Sequence, residues 1–141
     1  MLLLVSHLLL SLSLMTMLIF LDILLTIAHI VLTLFNLVGW IWTRTRKIHL
    51  ITIGLTIASW FILGIWHGWG YCVLTDWHWQ VKERLGEKNL PASFIKYYAD
   101  KLTGKNFDPS LVENVTLGCL VFALVATIYV NFFGKKNRGS R

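Results

Sequence analysis

Residues 2 to 42 contain one acid, Asp22, and no Lys or Arg. A membrane span needs about 20 apolar residues, so this stretch exceeds one span. Two spans, over 1–20 and 22–42, would need a turn at Asp22. The run Ile19-Phe20-Leu21-Asp22-Ile23-Leu24 has no Gly, Pro or Asn to make one. One long helix is therefore expected, spanning about 17–42, with its first turns protruding or lying in the interface. A cleaved signal peptide is the remaining alternative, though it would lack a basic n-region, and Ser11 and Ser13 make a poor cleavage site.

Two further segments share this character. A second span is expected over 48–66, free of Lys, Arg, Asp and Glu, after the boundary sequence Trp40-Ile41-Trp42-Thr43-Arg44-Thr45-Arg46-Lys47. A third is expected over 113–133, on a helix announced by Asp108 as N-cap and Pro109 at the first position. Of the 141 residues only 14% are charged, against about 25% in ordinary soluble domains. The chain is neither a soluble domain nor a disordered one.

Residues 67–112 form a water-exposed insertion with two amphipathic helices. The first is expected after an N-cap at Thr75, with Trp77, Val81 and Leu85 on one face and Gly86 at its end. The second is expected from Pro91, with Phe94, Tyr98 and Leu102 on one face before Gly104. Each is too short to be stable alone, so their apolar stripes must rest on each other, on the span ends or on lipid. The fold class is thus an all-α membrane protein: three transmembrane helices and a two-helix cap between the second and third.

The net charge of +6 reads as a topology signal. The 43–47 loop carries three cations and the 134–141 tail four, with no acid in either. Excess Lys and Arg mark cytoplasmic segments. This places the N-terminus outside, the cap outside and a basic tail inside. Nucleic-acid binding is not expected, because the basic residues are juxtamembrane.

Asp22 and His29 are the ionisable groups inside the first expected span, 17–42, and Asn36 lies seven residues further on the same helical stripe. Such groups usually face a bundle interior or wet cavity. The stripe reads either as a functional site or as a polar seam holding helices together. Asp22, His29 and Cys72 are the catalytic candidates. His29 and His67 are candidates for holding a cofactor, and His67, Cys72 and His78 for a metal, although their spacing matches no standard metal pattern. No cofactor is predicted. A bis-histidine haem within one chain is not expected, since the third span has no histidine. A haem shared between subunits and a metal both stay open. Cys72 and Cys119, the two cysteines, both fall at the outer side, where a disulfide is geometrically allowed. No nucleotide-binding loop or nucleophile elbow is present.

The run from Asp22 to His29, then Gly70-Tyr71-Cys72-Val73-Leu74-Thr75-Asp76-Trp77-His78, then the Tyr97-Tyr98 helix, resembles the DUF2784 family of small bacterial membrane proteins over about residues 20–133. The family signature G-x-C-P-L-T reads here with Val73 at the proline position, so the turn after Cys72 is less rigid. The D-W-H-W-Q and L-P-x-S runs are similar to Bacteroidetes-type versions, which implies an inner membrane and a periplasmic cap. The family is uncharacterised, so the resemblance implies no activity.

The expected function is a non-catalytic accessory or scaffold protein that binds a membrane partner, a second copy or lipid through the cap, with Trp77, Trp79, Phe94, Tyr97 and Tyr98 as contact surface. The alternative is a redox subunit or enzyme with its site at the cap end of the bundle.

Overall fold

The computed structural model describes residues 2–134, with side chains from residue 4 onward. The expected basic tail falls on residues outside those described. Every regular element among the described residues is helical. Helix α1 runs Leu2–Val38 without a break at Asp22. It begins earlier and ends sooner than the 17–42 span expected, because Gly39 turns the chain. A Cβ there would lie 2.6 Å from the Phe35 carbonyl oxygen and 2.7 Å from the His49 ring, closer than real Cβ contacts.

Helix α2 runs Arg46–His67 through a π-helical stretch at Ser59–Leu63. After a turn at Gly68 and Gly70, both at positive φ, the cap follows as α3 (Val73–Arg84) and α4 (Phe94–Thr103). Helix α5 covers Pro109–Phe133 and ends in a second π-helical stretch. Its start is as expected: the Asp108 carboxylate accepts from the Leu111 N–H, with Pro at the first turn. Three helices, α1, α2 and α5, are long and apolar enough to cross a membrane.

The cap helices differ in detail from expectation. Helix α3 starts from Cys72, not Thr75, because the extended backbone after Gly70 lets the Cys72 carbonyl accept from the Asp76 N–H at 3.0 Å. Helix α4 starts after Ser93, not at Pro91. The Pro91 carbonyl is held by Trp79 Nε1 at 2.6 Å, and the Ser93 hydroxyl caps the Lys96 N–H. Gly86 and Gly104 follow the two helices at positive φ, as their positions predict.

The face that α3 buries is the main departure. Thr75, His78 and Lys82 are turned inward, while Trp77 is exposed. The apolar stripe chosen by periodicity does not decide the orientation here. A polar partner on α1 does.

In α1, large apolar side chains from Leu4 to Met17 are exposed, and Leu18 is the first buried one. The helix is about 55 Å long at 1.5 Å per residue, against about 30 Å of bilayer hydrocarbon, so part of it extends past a single bilayer crossing. The bundle proper begins near Leu18.

Candidate functional site

Asp22, His29 and Asn36 recur every seven residues, nearly two turns, and so lie on one face of α1 about 10 Å apart along the axis. The fold turns this face inward and meets it differently at each level.

At the first level, Asp22 meets the cap. Its Oδ1 accepts from His78 Nε2 at 2.7 Å and pairs with Lys82 Nζ at 3.0 Å. Lys82 also pairs with Glu87 at 3.0 Å and lies over the Tyr97 ring. The Tyr97 hydroxyl donates to the other Glu87 oxygen at 2.5 Å. Thr26 donates to the Asp22 carbonyl and contacts the Tyr98 hydroxyl at 2.8 Å. His78 and Lys82 are almost completely buried. A buried lysine survives only when paired and hydrogen-bonded. Burial alone would push Lys82 down, but its hydrogen bonds to Glu87 and Asp22 outweigh this and hold it above the ordinary lysine range. Burial holds His78 below the ordinary histidine value despite the neighbouring Asp22. Glu87 is drawn below the usual carboxylate range, its burial outweighed by Tyr97 and Lys82.

This cluster clasps the cap to α1. It has the parts of an Asp–His dyad, but the far ring nitrogen of His78, Nδ1, is buried with no hydrogen-bond partner. Among the described residues the hydroxyl that approaches the ring is that of Thr26, 3.3 Å from Nε2, on the same nitrogen as Asp22 rather than across the ring from it as in a Ser–His–Asp triad.

At the third level, a polar knot ties the three spans together. Asn36 Nδ2 donates to the Thr56 hydroxyl at 2.8 Å. His49 Nε2 lies 2.9 Å from the Asn36 carbonyl oxygen. A carbonyl only accepts, so Nε2 carries the proton, and Nδ1 accepts from the Thr127 hydroxyl. His49, Ile53 and Thr127 are fully buried, and Ala123 nearly so.

The middle level is different. His29 is 7% exposed and its ring stacks flat on Phe94 of the cap, with centroids 3.8 Å apart and planes 1° from parallel. Its Nδ1 is buried without a hydrogen-bond partner. His29 lines a cavity of about 930 Å³ between the spans and beneath the cap. That volume lies near the top of the roughly 300–1,000 Å³ range of ligand pockets. Asn36 lines the same cavity, with its Oδ1 unpartnered.

The sequence-derived candidates fall in separate places. His29 and Cys72 share the cavity wall with Cys119, and both cysteines are free thiols. Asp22 and His78 belong to the clasp. His67 stacks on Tyr71 at 4.4 Å. The triad His67, Cys72 and His78 is thus divided among three surroundings. Among the described residues no three His, Cys, Asp or Glu side chains gather as a metal site. Of the five aromatic residues read as a contact surface, Phe94 is buried, and Trp79, Tyr97 and Tyr98 are half-buried against one another and Phe94. Trp77 is exposed.

Sequence reasoning missed Lys82 and Glu87. A signal existed: Lys82 follows His78 by four residues and so shares its face, while Asp22 sits in an apolar helix with no cation of its own.

No curated protein and no solved structure matches the chain. The profile of the family described as Protein of Unknown function (DUF2784) matches residues 19–133, most of the chain, and the chain belongs to that family.

Proposed function

We propose that this is a non-catalytic protein of the bacterial inner membrane that holds a lipid-like ligand in the chamber beneath its periplasmic cap. The observation that carries the reading is the chamber itself, apolar over most of its wall and built from all three spans and both cap helices. Ligand sites are concave, mostly apolar and furnished with a few polar groups. Several wall residues, Leu55, Val115 and Phe61 among them, are also exposed on the outer surface of the bundle. Their exposure supports entry by a molecule dissolved in the bilayer. The inward packing of Phe94 and its aromatic neighbours favours binding under the cap over binding on top of it.

The test is extraction of the protein purified in mild detergent, followed by mass spectrometry of the extract. The expected result is an amphiphile in amount comparable to the protein, lost from a Thr33→Trp variant whose added ring fills the chamber while circular dichroism stays unchanged. Equal amphiphile content in both proteins would overturn the reading. The redox alternative rests on His29 and Cys72 sharing the chamber wall. An absorption band beyond the tryptophan region, or stoichiometric metal lost in His29→Leu, would support it instead.

A further inference from the structure

The walls of the chamber carry a charge pattern that restricts what enters. Glu113 is the one charged residue among those lining it, and it is exposed. Among the described residues no Lys or Arg lines it. The nearest cap cations are committed elsewhere. Lys82 is held by Asp22 and Glu87. Lys96, 7% exposed, is held by Asp100 and by Asn106 Oδ1. An anionic head group entering here would lose water and gain no cation, at a cost of several kcal/mol per ion.

The polar atoms present are of another kind. His29 is more than nine-tenths buried, makes no hydrogen bond through Nδ1, and is fixed in orientation by its stack on Phe94. A histidine ring always has at least one N–H to donate. An unsatisfied buried polar atom costs about 1–3 kcal/mol, and His29, unlike His78 with its equally unpartnered Nδ1, lines the chamber where a ligand group would offset that cost. Asn36 Oδ1, about two turns deeper on the same face, is an acceptor in the same condition.

We infer that the chamber selects an uncharged amphiphile, one whose head bears a hydroxyl or carbonyl group that hydrogen-bonds to His29, and rejects anionic lipids of the same chain length. The apolar chain lies along the wall formed by α2 and α5. The inference rests on the chamber being a ligand site, and it adds the chemistry of the head group.

The experiment is native mass spectrometry of the full chain in detergent, titrated separately with diolein and with dioleoyl phosphatidic acid, which carry the same chains. Diolein should give a one-to-one adduct, with phosphatidic acid at least about tenfold weaker. His29→Leu should weaken the diolein adduct about tenfold, the loss of one hydrogen bond to a buried group. His29→Gln, which keeps a donor and an acceptor, should restore most of it. Equal binding of the two lipids, or diolein binding unchanged in His29→Leu, would overturn the head-group assignment while leaving the chamber a lipid site. Failure of both lipids to bind the wild-type protein would overturn the chamber reading with it.

Discussion

His29 on α1 and His49 on α2 are both buried histidines, and they meet opposite conditions. Around His49 the three spans meet. Its two ring nitrogens meet the Asn36 carbonyl and the Thr127 hydroxyl, so one ring joins all three helices. Around His29 the spans part, the cap fills only the roof, and a ring nitrogen is left without a partner. The His49 ring, which holds helices together, is satisfied at both nitrogens by the protein. The His29 ring, in the proposed reading, is satisfied by a ligand. The difference teaches that intramembrane polarity alone does not single out a candidate site; the proposal rests on an unpartnered polar atom of a residue that also lines a cavity.

The largest effect is expected where satisfaction is most complete. Lys82→Ala leaves the Asp22 and Glu87 carboxylates short of their shared cation, at about 3 kcal/mol, the low end for a broken buried pair because both carboxylates keep some water contact. Limited proteolysis across residues 73–103 should become much faster while the spans stay inserted. Resistance equal to wild type would show that the clasp contributes nothing to holding the cap. Next comes the knot. Thr127→Val leaves His49 Nδ1 buried without a donor and should cost about 1–2 kcal/mol, read as a lower melting temperature in detergent.

At His29 the sign should reverse. His29→Leu removes an unsatisfied atom and fills apolar space, so it should raise stability by roughly 0.5–1 kcal/mol while reducing ligand binding. A loss of stability comparable to that of Thr127→Val would erase the contrast between the two levels.

Acidification gives a smaller effect, because Glu87 is partly exposed and screened. His78 and Glu87 both stand below their ordinary values in the folded cap, so the unfolded cap binds more protons as pH falls. Stability from these groups is present above the unfolded values, about 6.5 for histidine and 4.3 for glutamate. It is lost as pH drops through the lower folded ones. Hydrogen exchange in α3 and α4 should therefore show weaker protection at pH 5 than at pH 7, with Asp22, Lys82 and Thr26 as the groups facing His78. Unchanged protection would sink this assignment. The smallest effect belongs to Trp77→Ala, exposed and outside the clasp, expected to change stability by less than about 0.5 kcal/mol.

Much of the architecture was legible beforehand. Long charge-free segments have one stable outcome in a bilayer, a helix with its backbone internally bonded. Thus three spans, the continuity of α1 through Asp22 and the Asp108-Pro109 start could be read directly. Gly86 and Gly104 punctuated the cap helices because only a residue without Cβ takes positive φ cheaply. The faces of the cap helices were less legible. Periodicity weighed Trp77, Val81 and Leu85 as the buried stripe of α3, yet Trp77 is outside and Lys82 inside.

The sequence by itself determined the helices, the insertion between the second and third, and the seven-residue polar stripe on α1, since each follows from local composition and helical period. Only the tertiary structure decided that Asp22 meets Lys82 and His78, that Asn36 meets Thr56 and His49, and that His29 meets a stacked ring and lines a chamber. Those outcomes depend on which distant residue arrives opposite each rung. In a helix that is apolar on every side, hydrophobicity does not select the face. The few polar pairs do, and their energy appears only when two parts of the chain are brought together.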